Sequence, residues 1–245
     1  MKRTSPNNWF EVDKAGLSQL LATRDKAFAL TELIQNAWDE NTTAVKVAIK
    51  KIEGRRGFYK VIVEDNCPEG WADLTHAFTL FAPSAKKNDA TKRGRFNLGE
   101  KLVLAICESA TISTVKGIVE FTPKGRRILK SRRTSGSVFE AVMKLTIDDI
   151  DNFRKLFDTL IPPAGITNSL SITSVLPAFD DRTLKPSSPV HTFSQSLPTL
   201  CADEEGNLKR TRRTTTVELH DVSNNGIGTA HIYELGIPVV ALADD

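Results

Sequence analysis

Cysteine is scarce in this chain of 245 residues, which contains only Cys67, Cys107 and Cys201. An odd number of thiols without a short Cys-x-x-Cys spacing argues against a disulfide framework and against a cysteine-based zinc site. Long apolar runs are also lacking. None approaches the roughly 20 residues that cross a bilayer, and the start MKRTSPNNWF has no apolar signal core. We therefore expect a protein of a reducing compartment, the cytoplasm, without a membrane segment.

A strong charge of one sign is absent as well. Lys and Arg number 33 against 30 Asp and Glu, which gives a net charge of +3. This balance by itself requires neither a nucleic acid nor a membrane partner. The basic residues are nevertheless clustered, and such patches can hold nucleic-acid phosphates, although a solvated strand or loop face is the commoner explanation. The clusters are Lys124, Arg126, Arg127, Lys130, Arg132 and Arg133, and then Lys209, Arg210, Arg212 and Arg213.

Helical and strand periodicities alternate along the first two thirds of the chain. Helical patterns cover residues 17–40, with a break near Thr23, and then 71–81, 99–109 and 150–160; strand patterns cover 42–52, 58–65, 111–115, 118–121, 127–130 and 138–145. Because consecutive strands are joined by short turns, hairpins dominate. The sequence therefore predicts an α+β fold of two layers, a mixed and mostly antiparallel sheet with helices on one face.

The last third of the chain is less regular. Residues 177–198 are rich in Pro, Ser and Thr and are a candidate linker or exposed loop. Strand patterns return at 215–220 and 237–240. We therefore expect a domain over residues 1–176, and a loop-rich extension over 177–245 that completes this domain or leads to a further one.

The helix over 17–40 carries three polar residues on one face. Glu32, Asn36 and Asp39 stand at i, i+4 and i+7, so their side chains project in the same direction. An Asn oxygen can hold a divalent cation, and a Glu one turn away can orient a water for phosphoryl chemistry. Taken alone, the spacing is weak evidence, because a solvated polar stripe on an amphipathic helix is the commoner explanation.

Two further strings follow at equal intervals. Asp65 ends a strand pattern in front of a turn that contains Gly70, where a carboxylate can accept a hydrogen bond from an exocyclic amine. The string GRFNLGEK, residues 94–101, is a glycine-bounded loop that opens onto a helix. Such a loop points backbone N–H groups at phosphate oxygens, and Lys101 adds a cation in the first turn. The order of the three strings favours a nucleotide site.

The combination resembles the GHKL, or Bergerat-fold, ATPase superfamily of gyrase-type topoisomerases, heat-shock chaperones, MutL-type repair proteins and histidine kinases. The resemblance spans roughly residues 24 to 121 and implies ATP and Mg²⁺ as cofactors. It implies that Glu32 is the general base, that Asn36 ligates Mg²⁺ and that Asp65 binds the adenine amino group. The other nucleotide-binding residues it implies are Asp39, Gly70, Ser84, Lys86 and Lys87 in a lid, Gly94, Arg95, Phe96, Asn97, Leu98 and Gly99 around the phosphates, Lys101, and a later strand threonine, Thr215 or Thr216.

The chain departs from the family pattern at two places. Cys67 stands at the first glycine position after Asp65, and the turn has one extra residue before Gly70. Asn97 replaces the middle glycine of the phosphate loop, where Asn is tolerable because it enters left-handed conformations more readily than most residues.

The resemblance implies a domain that binds ATP and hydrolyses it slowly. It also implies that the nucleotide acts as a conformational or dimerisation switch, and that the domain forms a homodimer that depends on ATP. A histidine-kinase-type catalytic domain is less favoured, because no histidine helix precedes the motifs and Glu32 is typical of the hydrolysing members. A non-catalytic module that senses nucleotides or binds nucleic acid is the other alternative, favoured by Cys67 and the basic clusters.

Overall fold

The structure is a computed structural model, and it describes residues 12–71, 73–80, 98–173, 181–202, 208–221 and 230–242. The helices of this part of the chain are α1 (Lys14–Leu20), α2 (Ala27–Trp38), α3 (Gly99–Ile106) and α4 (Ile147–Thr159), with a 3₁₀ helix over Leu74–Ala77. The expected break in the first helical pattern is present between α1 and α2. There the Asp25 carboxylate accepts a hydrogen bond from Ala27 N at 2.8 Å and starts the second helix.

One sheet of eight strands forms the centre of the fold. Its strands are β1 (Ala44–Lys51), β2 (Phe58–Asp65), β3 (Ser109–Thr114), β4 (Gly117–Thr122), β5 (Gly125–Leu129), β6 (Ser137–Lys144), β7 (Thr167–Thr173) and β8 (Arg182–Leu184). Their order is β5-β4-β3-β6-β2-β1-β7-β8. Only β1 and β7 run parallel in this sheet; its other pairs are antiparallel. The predicted α+β fold with a mixed, mostly antiparallel sheet is confirmed.

The core lies between this sheet and the helices. Along β1 the residues Val45, Val47 and Ile49 are buried, while Lys46 and Lys50 on the other face are exposed. This alternation is the pattern of a sheet with one covered face. Helix α2 covers β1 and β2 with its apolar stripe, whose buried members are Ala27, Phe28, Ala29, Leu30, Leu33, Ile34, Ala37 and Trp38.

Helix α4 begins at Ile147 and has a capping box at its start. The Thr146 hydroxyl accepts from Asp149 N at 3.0 Å, and the Asp149 carboxylate accepts from Thr146 N at 2.7 Å. This reciprocal capping box satisfies two N–H groups at the helix start. Lys26 adds an ion pair to Asp149 at 2.8 Å and thereby ties α4 to the start of α2.

Two segments differ from the sequence expectation. Where a helical pattern covers residues 71–81, the described part forms only the 3₁₀ turn, because the Asp73 carboxylate accepts from Thr75 N and favours a local turn over a continued helix. Where a linker was expected, β8 extends the main sheet and β9 (His191–Ala202) pairs with β10 (Leu208–Leu219) in a separate two-stranded sheet. Pro198 lies inside β9, which is an edge strand and so tolerates a missing N–H.

The last described strands of the chain form a hairpin that packs on the main domain. Strands β11 (His231–Glu234) and β12 (Ile237–Ala241) pair around a turn. In that turn Gly236 has φ +80°, and an added Cβ would lie 2.0 Å from the Ile161 carbonyl oxygen. Only glycine permits this approach. The next residue, Ile237, is buried in the main core.

Candidate functional site

The start of α3 leaves space for the carboxylate of Glu32. An ideal Cβ on Gly99 would lie 2.0 Å from Glu32 Oε2 and 2.9 Å from its Cδ, so any larger residue at this position would displace the carboxylate. Glu32 is half-buried on α2. The expected first motif and the glycine at the end of the expected phosphate loop are therefore adjacent in space.

The residue after Gly99 contacts the second member of the motif. Asn36 Nδ2 donates to Glu100 Oε2 at 3.3 Å. Because a carboxylate only accepts, this bond assigns the NH₂ arm of the amide to Glu100 and makes Oδ1 the arm that remains for a cation. Glu32 and Asn36, one turn apart on α2, thus both meet the first turn of α3. No sequence motif indicated Glu100, although it stands beside Lys101 in the GEK string.

Lys101 has other partners than the phosphate oxygens that we expected for it. It is buried, its ammonium pairs with Glu100 Oε1 at 2.5 Å, and it also donates to the carbonyl of His76. Burial lowers the pKa of Lys101, and the neighbouring Glu100 carboxylate opposes this effect. The Lys101 ammonium therefore bonds to groups of the protein interior, namely Glu100 and the His76 carbonyl.

Asp65 lies at the end of β2 with its carboxylate held by the backbone. Its Oδ1 accepts from Cys67 N at 2.9 Å and from Ser137 N at 3.3 Å. Burial raises the pKa of Asp65, and these two hydrogen bonds partly offset the rise. Since both backbone bonds go to Oδ1, Oδ2 is the oxygen that can accept from an exocyclic amine.

The turn after Asp65 requires glycine at position 70. Gly70 has φ +58°, and an added Cβ would lie 2.9 Å from Val115 Cγ2 and 3.5 Å from Ser137 Oγ. Such a left-handed position next to packed atoms is costly for any other residue. Cys67, which replaces the family's first glycine, is buried and is not among the described residues with positive φ. A side chain therefore fits there without backbone strain.

Ser137 is a site residue that the sequence analysis missed. It is the antiparallel partner of Asp65 across β2 and β6, and its Oγ is buried without a hydrogen-bond partner in the described part of the chain. A buried hydroxyl with no partner is a ready donor or acceptor for a ligand. The strand pattern was placed from Val138 onward, one residue too late, and sequence alone does not give the register that sets Ser137 beside Asp65.

Thr216 does not occupy the position expected of it. It is exposed in β10, where it pairs with Ser194, and it does not line the cleft at Asp65. The physical reason is that β10 belongs to the two-stranded sheet, so its hydroxyls stand away from β2. The hydroxyl on the strand next to Asp65 is that of Ser137.

These residues line one small cleft between α2, α3 and the sheet. Its polar members are Asn36, Asp65, Glu100 and Ser137, and its apolar members are Leu33, Ala37, Val63, Trp71, Ile112, Val138 and Phe139. An apolar pocket with a few convergent polar groups is typical of small-molecule sites. The carboxylate of Asp65 and the unpartnered Ser137 hydroxyl are polar groups of this cleft that a ligand could contact.

The donor set also fits a cation that is shared with phosphates. Within the described residues, no three His, Cys, Asp or Glu side chains form a metal cluster. Mg²⁺ is commonly bound by one or two protein groups together with substrate phosphates and water, and the Oδ1 arm of Asn36 is such a group. A cage made only of protein ligands is not needed.

The remaining predicted residues divide into two groups. Asp39 is buried at the C-terminal end of α2, outside the cleft lining, and Leu98 is the half-buried N-cap of α3. Others lie outside the described residues, namely Ser84, Lys86, Lys87, Gly94, Arg95, Phe96 and Asn97.

The first basic cluster is largely engaged within the fold. Arg126 stacks over the Phe78 ring with its Cζ 3.5 Å from the centroid, Arg127 pairs with Glu120, and Arg133 pairs with Glu64 at 2.5 Å. Four of the six residues in the cluster lie on or next to β5, an edge strand of the sheet. Charged side chains on an edge strand discourage pairing with other chains, which accounts for this cluster without a ligand.

Comparison with known proteins identifies the family of the chain. Residues 24–156 match the family model described as histidine kinase-, DNA gyrase B-, and HSP90-like ATPase. Among curated proteins the sequence finds no match. A crystal structure of the N-terminal domain of a DNA repair protein is similar with a TM-score of 0.40 and 12% identity; the match covers 87% of this chain and 60% of that one.

In the described parts of the chain, no helix is both long and apolar enough to cross a membrane.

Proposed function

Since the chain belongs to the family of histidine kinase-, DNA gyrase B- and HSP90-like ATPases, we propose that its ATP-binding domain takes Mg²⁺ with ATP and hydrolyses the nucleotide slowly. Glu32 is the general base that activates water, Asn36 is the Mg²⁺ ligand, and Asp65 accepts from the adenine amino group. Ser137 adds a second contact to the adenine ring, next to Asp65.

The observation that carries this proposal is the position of Glu32 and Asn36 against the first turn of α3. A general base must lie within reach of the water that attacks the terminal phosphate. The N-terminus of a helix is a favourable place for phosphates, and Gly99 leaves room there for the Glu32 carboxylate. The proposed base and cation ligand thus both lie against the helix start proposed for the phosphates, and Asp65 lines the same cleft as Asn36.

We further propose that the bound nucleotide acts as a switch for conformation or dimerisation. Contacts to the terminal phosphate exist only while the triphosphate is present, so its hydrolysis changes which conformation is favoured. Ser84, Lys86, Lys87 and Arg93 are the lid residues expected to respond, and all four lie outside the described part of the chain.

Calorimetric titration with ATP and Mg²⁺, with phosphate release followed on the same sample, tests the proposal. Wild type is expected to bind and to release phosphate slowly. Glu32→Gln should bind almost as tightly and lose hydrolysis by about 100-fold or more. The matched control Glu53→Gln changes an exposed carboxylate. It should bind ATP and hydrolyse it as the wild type does. Unchanged turnover in Glu32→Gln would remove Glu32 as the base.

Asp65→Asn tests the adenine contact separately. The amide can keep the two backbone bonds through its oxygen but presents NH₂ where an acceptor is needed. We expect affinity for ATP to fall by about tenfold or more, with the folded structure retained. An affinity equal to that of wild type would remove Asp65 from the site.

A second candidate function is nucleic-acid binding through the cluster on β10. Arg210 and Arg213 lie on opposite faces of a strand whose side chains are exposed, whereas Arg212 donates to the carbonyl of Ser196. The acidic stretch Asp203 to Glu205 adjoins the cluster in the sequence and opposes binding. Anisotropy with labelled duplex DNA at low salt tests it. Loss of binding in Arg210→Gln with Arg213→Gln supports this function, and equal binding by the two proteins contradicts it.

A further inference from the structure

We propose that Glu100 is a positioning residue that fixes the amide of Asn36 in the orientation required for Mg²⁺, and that Lys101 holds Glu100 in place. The inference rests on the proposed function for its ligand. It concerns two residues of α3 and gives Lys101 a role other than a phosphate contact.

The two oxygens of Glu100 have different partners. Oε2 accepts from Asn36 Nδ2 at 3.3 Å, and Oε1 pairs with Lys101 Nζ at 2.5 Å. Lys101 in turn donates to the backbone carbonyl of His76. A side chain with both oxygens engaged has little freedom to rotate, so the position of the acceptor facing Asn36 is fixed by the fold.

Burial explains why this arrangement is rigid. Glu100 is 5% exposed and Lys101 is 6% exposed, and a buried charge is retained only when it is paired and hydrogen-bonded. The pair therefore cannot open to water without a large cost. Asn36, by contrast, is only half-buried, and its amide could turn over if no acceptor held it.

The orientation of the amide determines what Asn36 can bind. With Nδ2 on Glu100, the Oδ1 arm faces away from that carboxylate and is the arm available to a cation. If the amide turned over, its oxygen would face the carboxylate and its NH₂ group would face the cation, which is unfavourable at both ends. Loss of a group that orients a metal ligand by a hydrogen bond typically lowers metal affinity by about 10–100-fold.

Two double variants separate this role from general stability. Glu100→Gln with Lys101→Met removes both charges but keeps an oxygen that can accept from Asn36. Glu100→Met with Lys101→Met removes both charges and the acceptor. Because both lack the ion pair and leave no unpaired buried charge, their folding is comparable. If the second variant does not fold, Glu100→Ala with Lys101→Met replaces it.

The first readout is the ratio of ATP affinity with Mg²⁺ to that with EDTA, measured by calorimetry. The Gln variant should keep most of the wild-type gain from Mg²⁺, because an acceptor remains although Lys101 no longer holds it, and the Met variant should lose about tenfold of the gain. Asn36→Ala added to the Met variant should then change the ratio no further, since the two changes remove one interaction. An equal gain in the Met and Gln variants would overturn the proposal.

The second readout needs no nucleotide. The side-chain NH₂ resonances of Asn36 in the ligand-free protein should remain those of a hydrogen-bonded amide in the Gln variant, and should move towards those of a free amide in the Met variant. Unmoved resonances would overturn the proposal. If wild type binds no ATP, the proposed function fails, and these resonances still decide whether Glu100 orients Asn36.

Discussion

Two regions of the molecule differ in how their strands are stabilised. We call the eight-stranded sheet with α1 to α4 the body, and the sheet formed by β9 and β10 the ribbon. In the body, large side chains such as Phe153 and Phe157 are fully buried. In the ribbon, twelve residue pairs form a regular antiparallel ladder, yet Phe193 is 40% exposed and Leu200 is 59% exposed.

The difference shows what a binding site needs besides strand pairing. A two-stranded ladder fixes the register but is marginally stable without a packed face. Three sets of contacts instead determine the geometry of the cleft at Asp65. They are the ladder between β2 and β6, the packing of α2 on the sheet, and the contact of α2 with α3. We expect changes in the body to affect folding or the site, and the same changes in the ribbon to affect neither.

The same substitution in the two regions should give the largest contrast. Phe153→Ala removes a ring from the core of the body and should lower the free energy of unfolding by about 3–5 kcal/mol. Phe193→Ala in the ribbon should lower it by about 1 kcal/mol or less. Urea unfolding followed by circular dichroism measures both. Equal losses would mean that the ribbon is as firmly packed as the body.

A glycine substitution separates function from stability within the body. Gly99→Ala places a methyl group where Glu32 Oε2 lies, and hydrolysis should fall by about 100-fold. The fold should change by no more than about 1 kcal/mol, since alanine is the better helix former and the displaced atom is the end of a flexible side chain.

The matched control for Gly99→Ala is Gly16→Ala. Gly16 also lies in a helix, and its added Cβ would approach Asp13 Oδ1 only to 3.4 Å. Phosphate release should be unchanged in this variant. If Gly99→Ala also hydrolyses ATP at the wild-type rate, the close approach of Glu32 to α3 is not needed for the reaction.

The two candidate strand hydroxyls provide a smaller contrast. Ser137→Ala removes the unpartnered hydroxyl beside Asp65 and should weaken ATP binding by about 3–10-fold, the value of one hydrogen bond. Thr216→Ala, on the exposed ribbon, should leave the affinity unchanged. Dissociation constants for ATP, measured by calorimetry, decide between Ser137 and Thr216. A loss of affinity in Thr216→Ala alone would restore the assignment expected from the sequence.

Thiol reactivity gives the mildest contrast. Cys107 in the body is buried, which raises its pKa to about 12, and burial also raises the pKa of Cys67. Cys201 in the ribbon is exposed. At pH 8, iodoacetamide should label Cys201 at least about tenfold faster than the other two, because the thiolate is the reactive form. Mass spectrometry of a time course tests this, and rapid labelling of Cys107 would show that the body opens.

Strongly periodic segments were predictable because their pattern follows from local geometry. The alternation in β1 and the apolar stripe of α2 follow from the two-residue and 3.6-residue periods of the backbone. The ribbon was partly mistaken for a linker, because its strands have few buried residues and so carry no alternating pattern. A ladder held chiefly by backbone hydrogen bonds leaves little trace in the side chains.

The candidate site shows the same division. Glu32, Asn36 and Asp65 were found because they lie in short strings with local spacing. Ser137 and Glu100 were missed because their importance depends on which strand pairs with β2 and which helix meets α2. Lys101 was identified as part of the site, but its partners were not, since no spacing along the chain indicates that its ammonium is buried against Glu100 and the carbonyl of His76.

The sequence by itself determined the family, the α+β class and the residues that resemble an ATP site, because these depend on periodicity and on motifs within a few turns of chain. Only the tertiary structure decided which side chains meet. The register of β6 on β2 sets the Ser137 hydroxyl beside Asp65, and the packing of α3 on α2 gives Glu32 its space and Asn36 its acceptor. Such contacts join residues more than sixty positions apart, and burial rather than local sequence preference fixes them.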